Sequence, residues 1–192
     1  MDHLLRDIGI EIKEILSESP YMILYAEWQS QPIIIRCIHE KSINTDEFEI
    51  LKYIQENVIH PWWFPKTYFK HCFEPIPFWF IKDGTESCHY VRSILVYEYI
   101  SGESILNMVL SPEEKKKMRK DLFCQLADLH NIGLSYNNVD IKNIIKTDKG
   151  YRFIGFDRVQ DRLGLFKDLR GLIPYSGKES DLKKLQSLLI RL

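Results

Sequence analysis

The chain has no Cys-x-x-Cys pair. Its four cysteines, Cys37, Cys72, Cys88 and Cys124, are widely spaced, which argues against a zinc site or a redox motif. No apolar stretch approaches the length of a membrane span. Asp2, Arg6, Asp7 and Glu11 interrupt any signal-like run at the start. With a net charge of −1, there is no bulk attraction to nucleic acid or to an anionic membrane. The only basic cluster, Lys115 to Lys120, follows Glu113 and Glu114 and reads as a solvated helix face. There is no internal repeat, low-complexity tract or flexible linker. These absences point to a cytoplasmic chain with free thiols, no nucleic-acid partner and no membrane span. They are compatible with delivery into a host cell by a route without a cleaved signal.

What is present is enough for one domain with a real core, or two small lobes: 192 residues, 45% hydrophobic and 28% charged. Short β-rich runs at Ile10–Leu16, Tyr21–Trp28 and Pro32–Ile38 are separated by Ser-Glu-Ser-Pro and Gln-Ser-Gln-Pro, which predicts an antiparallel meander. Thr45–Glu56 has helical spacing, with Asn44 or Thr45 as its cap. Ile94–Ile100 reads as a strand. Ser111-Pro112-Glu113-Glu114 is a strong helix start, and Met118, Leu122, Leu126 and Leu129 share one face before Gly133. Thr147-Asp148-Lys149-Gly150 marks a hairpin. Leu182, Leu185, Leu188 and Leu189 give a last amphipathic helix over residues 179–191. The expected class is α+β.

Residues 129–157 carry the most specific pattern: Leu-His-Asn-Ile-Gly-Leu-Ser-Tyr-Asn-Asn-Val-Asp-Ile-Lys-Asn-Ile-Ile, then a turn, then Phe-Ile-Gly-Phe-Asp. Its spacing resembles a protein-kinase catalytic loop and metal-binding strand. The rest of the chain is similar in order. Residues 15–21 stand where kinases have their glycine-rich loop, and Ile33-Ile34-Ile35-Arg36 where they have Val-Ala-Ile-Lys. Residues 46–51 resemble the regulatory helix, with Glu47 as its ion-pairing acid. Residues 95–102 resemble the hinge, with Tyr97 as gatekeeper and Glu98 beside it. The segment after Gly155, through Lys167-Asp168-Leu169 and Tyr175-x-Gly177, is similar to small bacterial lipopolysaccharide-core sugar kinases. The resemblance implies one two-lobed kinase-like domain, with a small β-rich N-lobe over about 1–100 and a truncated, minimal helical C-lobe over about 101–192.

Phosphoryl transfer depends on positioning and charge stabilisation, and the groups that supply them are changed here. Residues 15–21 contain no glycine, and Glu18 would meet phosphate with like charge. Arg36 replaces the lysine; its fork suits a strut to Glu47 better than a phosphate clamp. Ile34 and Tyr97 would fill the purine slot. Asn138 stands where the catalytic Asp belongs, and its amide accepts no proton at neutral pH. Such a loss costs about 10²–10⁴-fold in rate. Gly155 stands where the metal-binding Asp belongs and cannot ligate Mg²⁺. Asn143 is retained as the other metal ligand. Asp140 and Asp157 are the acids that remain to substitute as base and as displaced metal ligand.

His60 and His130 read as structural residues, with no third ligand beside them. Trp62-Trp63-Phe64-Pro65 and Pro75-Ile76-Pro77-Phe78-Trp79-Phe80 are aromatic segments that either join the core or expose an apolar patch to a partner. The first expectation is a pseudokinase that binds a protein partner as regulator or scaffold and needs no cofactor. The alternative is an active small kinase using ATP and Mg²⁺ on a lipopolysaccharide-core sugar or similar acceptor. A module that senses ATP without hydrolysis is a third reading.

Overall fold

A computed structural model of the chain describes residues 2–17, 22–39, 47–82, 84–161 and 177–191. The fold is α+β, and its contacts fall into two compact units: residues 1–44 with 67–99, and residues 45–66 with 100–192. Among the described residues no helix is long and apolar enough to cross a membrane.

The first unit is a five-stranded antiparallel sheet beneath a short helix, α1 (Asp2–Asp7). Its strands are β1 (Ile10–Ser17), β2 (Met22–Trp28), β3 (Gln31–His39), β4 (Thr67–Lys82) and β5 (Thr85–Glu98), in the order β1-β2-β3-β5-β4. The meander read from the sequence is β1 to β3. Gln29 and Ser30 join β2 to β3 with φ of 52° and 61°, the positive pair that matches the twist of a tight hairpin. Alternate β3 residues Ile33, Ile35 and Cys37 enter a core with Leu5, Met22, Leu24, Phe78, Ile94 and Val96. Burial pushes the Cys37 thiol up to about 12, so this cysteine is a packing residue.

The strand expected at Ile94–Ile100 is the end of the longer β5, and the Pro75–Phe80 segment lies inside β4. Prolines are tolerated there because β4 is an edge strand and its register slips between Cys72 and Ile76. Phe78 is buried, whereas Trp79 is 60% exposed.

The second unit holds α2 (Glu47–Asn57), a single 3₁₀ turn at Pro61–Trp63, β6 (Glu103–Ser104), α3 (Pro112–Asn131), β7 (Leu134–Ser135), β8 (Ile144–Thr147), β9 (Gly150–Phe153), β10 (Gln160–Asp161) and α4 (Gly177–Arg191). Strands β6, β8 and β9 form one small sheet, and β7 pairs with β10. Ile50, Leu51 and Ile54 of α2 share a core with Met118, Leu122, Leu126, Tyr136, Phe153, Phe156 and Leu185.

Helix α3 positions β9. Its buried Gln125 donates through Nε2 to Tyr151 O (2.8 Å) and accepts from Phe153 N (2.9 Å), while Asp121 Oδ2 accepts from Tyr151 N (3.1 Å). Side chains of the helix thus satisfy the free edge of β9, whose backbone groups would be costly to bury unpaired. Arg152 points the other way and donates to the carbonyls of Trp62, Trp63 and Phe64. This ties the Trp62–Phe64 segment to β9: Phe64 is buried, and Trp62 remains half-exposed.

The start of α3 is a full capping box. Glu114 N donates to Ser111 Oγ (3.2 Å), and Ser111 N donates to Glu114 Oε2 (2.9 Å). Lys146 of β8 lies 2.7 Å from Glu114 Oε1. The Lys146 hydrogen bond first, then the Ser111 amide, lower the Glu114 carboxyl from 4.5 to about 2. A depressed acid adds stability above its unfolded value and loses it as the pH falls through its folded one. Urea titrations at stepped pH should show wild type weakening between pH 4.5 and about 2 more steeply than Glu114→Gln. Equal slopes would mean that the contact carries no linkage. The pair is partly exposed, so the difference is modest.

Candidate functional site

The site is built in the second unit, on the loop between β7 and β8 and the segment after β9. The loop is suspended from α4. Asp181 is fully buried, and its carboxylate accepts from Tyr136 N (2.8 Å), Asn137 N (2.7 Å) and His130 Nε2 (3.1 Å). Three donors converge on one carboxylate, which is how a buried charge is made tolerable. Asn137 sits at φ 59°, a left-handed conformation that asparagine adopts more readily than most residues. Gly177 opens α4 beside Ser135: a Cβ on Gly177 would lie 2.5 Å from Ser135 Oγ and 2.7 Å from Ser135 Cβ. Only glycine allows that approach.

Tyr136 seals the floor. Its ring packs against Phe153 at 4.5 Å and Phe156 at 5.5 Å between centroids, and its hydroxyl donates to Ile154 O. Burial, then the charges of Asp157, Asp181 and Asp140, raise its phenol well above the ordinary value, so it stays a neutral donor.

Above that floor lie Asn138, Asn143, Gly155 and Asp157. Asn138 Nδ2 donates to Gly155 O (2.8 Å) and to Asp157 Oδ1 (3.2 Å). Both partners are pure acceptors, which fixes the orientation of the amide. Asn143 Nδ2 donates to Asn138 O (2.9 Å), and Ile154 N donates to Asn143 O (2.8 Å). The loop and the strand end are therefore stitched together by asparagine amides. Gly155 has φ 76°, and a Cβ there would stand 3.2 Å from Asn138 Nδ2 and 3.5 Å from Asn143 Oδ1. A glycine fits both the left-handed backbone and the tight space.

Asp140 is engaged locally. Its Oδ1 accepts from Lys142 N (3.2 Å), capping the 3₁₀ turn Ile141–Asn143, and Lys142 Nζ lies 3.7 Å from its other oxygen. Asp157 is half-buried and bound to Asn138. Among the described residues no three His, Cys, Asp or Glu side chains are grouped to hold a metal ion.

The other residues singled out in the sequence fall elsewhere. Ile34, Arg36, Tyr97 and Glu98 are in the first unit: Ile34 pairs directly with Tyr97 across β3 and β5, Ile33 with Glu98, and Arg36 with Leu95. Ile34 and Arg36 are buried, on the strand face opposite Ile33 and Ile35. Glu47, also buried, begins α2 in the second unit. Residues 18–21, the caps Asn44 and Thr45, the Lys167-Asp168-Leu169 segment and Tyr175 lie outside the described residues. His60 Nδ1 lies 2.9 Å from Asp128 Oδ2, a structural pairing like that of His130.

Two contributors escaped the sequence reading, Asp181 and Gln125. Asp181 carried a signal: it lies four residues before Leu185 on the apolar stripe of α4, a position where a charge requires a buried partner. No family model matches the sequence, and no curated protein matches it.

Proposed function

We propose that the chain is a pseudokinase: a two-lobed kinase-like protein with a minimal C-lobe that transfers no phosphate and acts as a protein-binding regulator or scaffold. The observation that carries this reading is the Asn138 amide. At the position of the general base stands a donor already committed to Gly155 O and Asp157 Oδ1. A group that donates cannot take a proton from an acceptor hydroxyl. The order of elements supports the kinase-like frame: Arg36 lies on β3, Glu47 opens the helix that follows, and the loop and strand end come after α3. Exposed Trp79 and Ile81 in the first unit, and Ile59 and Trp62 in the second, are among the apolar side chains open to a partner.

One observation favours the alternative, an atypical kinase acting on a lipopolysaccharide-core sugar. Asp157 places a carboxylate within hydrogen-bonding distance of Asn138, where a displaced ligand for Mg²⁺ would stand. Thermal shift with ATP and Mg²⁺, followed by radiolabelled transfer to core oligosaccharide and to protein acceptors, separates the two. The pseudokinase reading expects no metal-dependent stabilisation and no incorporation. Incorporation that disappears in Asp157→Ala would replace it with the alternative.

A further inference from the structure

The second aromatic segment of the sequence leads to a slot in the first unit. β1 and β4 end the strand order, so each has an edge with no strand partner among the described residues. Yet Ile10, Ile12 and Ile15 of β1 and Phe78 and Trp79 of β4 line one cavity of about 330 Å³, together with Arg6 of α1 and Glu11. Opposite edges of one sheet meet around a cavity only when the sheet curls toward closure. The slot is therefore a seam bordered by both edge strands.

The walls of the seam are in part polar, from Arg6 and Glu11, and in part apolar: Ile12 and Ile15 are partly buried and Phe78 is buried, whereas Trp79 is 60% exposed. The charge of Glu11 is met by Lys13 at 2.9 Å, and Lys13 also reaches Glu27 at 3.2 Å. Arg6 makes no ion pair among the described residues. We propose that this seam takes one extended segment of a partner protein, laid along β1 as an added strand. An acidic side chain of the segment meets Arg6, and an apolar one packs on Phe78 and Trp79. The free edge of β1 supplies main-chain donors and acceptors at the usual strand spacing of about 4.8 Å. The volume, about 330 Å³, is at the low end of the roughly 300–1,000 Å³ of ligand sites and suits a narrow extended segment. Register slips after Ile12 and after Ile15 confine regular pairing to the start of β1, so the added strand is short. This inference rests on the partner-binding reading above and names where the partner docks.

The test is selection of random linear peptides on the full chain, followed by anisotropy titrations of the enriched peptides. Arg6→Glu and Trp79→Ala alter exposed side chains, and unchanged melting curves confirm their folding. Enriched peptides are expected to alternate apolar residues around an acid, and to bind each variant about tenfold more weakly. Backbone N-methylation of the peptide should abolish binding. No enrichment, indifference to either substitution, or tolerance of N-methylation overturns the proposal. Phosphate transfer with peptide binding intact would strike the non-catalytic reading alone. Absent transfer with no peptide binding would strike the seam alone.

Discussion

Asp181→Ala is expected to lower the thermal midpoint by about 10 °C, from a loss of about 3–5 kcal/mol at about 2–4 °C per kcal/mol for a chain of this size. The size follows from what is left behind. Alanine removes one carboxylate but strands three donors, Tyr136 N and His130 Nε2 in buried positions and Asn137 N in a partly buried one. Each orphaned donor carries a desolvation penalty of about 1–3 kcal/mol, reduced where the loop relaxes. Asp181→Asn refines the test. The amide keeps the shape and one acceptor, but its nitrogen must face either Asn137 N or the pair Tyr136 N and His130 Nε2. It should fall between wild type and alanine. Differential scanning calorimetry reads both. A midpoint for Asp181→Ala within about 2 °C of wild type, below the shift of a single kcal/mol, would mean that the loop is held by something else.

Asn138→Asp, which would supply a base under the reading proposed above, is expected to destabilise the fold by about 1–3 kcal/mol at neutral pH without divalent cations. A carboxylate placed where Nδ2 now sits would face Gly155 O at about the present 2.8 Å and Asp157 Oδ1 at about 3.2 Å. Three oxygens would then crowd with no proton between them. Like charge and lost donation both raise the folded-state pKa of the new acid. A raised acid costs stability above its folded pKa, and the cost fades as the pH falls to the unfolded value of about 3.9. The deficit should therefore shrink between pH 7 and pH 4. Mg²⁺ should also shrink it in the variant and leave wild type unchanged, since a cation between carboxylates replaces the lost donor. Urea denaturation at two pH values, with and without Mg²⁺, measures this. Wild-type stability for Asn138→Asp at pH 7 in chelator would show that the amide does not tie loop to strand.

These expectations depend on contacts that the sequence only partly displayed. The hairpin β8–β9 and the Ser111 start of α3 were legible because a turn or a cap is written in adjacent residues. The residue types at Asn138 and Gly155 were legible for the same reason. The sequence could not show that the Asn138 amide would close on Gly155 and Asp157, or that Asp157 would be half-buried. The sequence marked Pro75–Phe80 only as an aromatic segment that joins the core or faces a partner, and its prolines leave a strand there open only at a sheet edge. The edge position of β4 meets that condition.

By itself the sequence determined the spans of β1 to β3, the start of α3, and the presence of Asn138, Asn143, Gly155 and Asp157 around one turn, because period, cap and residue type are local properties. Only the tertiary structure decided that Asp181 would hold that loop from 45 residues away, that Gln125 would pair the edge of β9, and that Arg6 and Trp79 would share a seam. A hydrogen bond or a cavity depends on which chain segments meet, and that is settled by packing the whole fold rather than by the residues on either side.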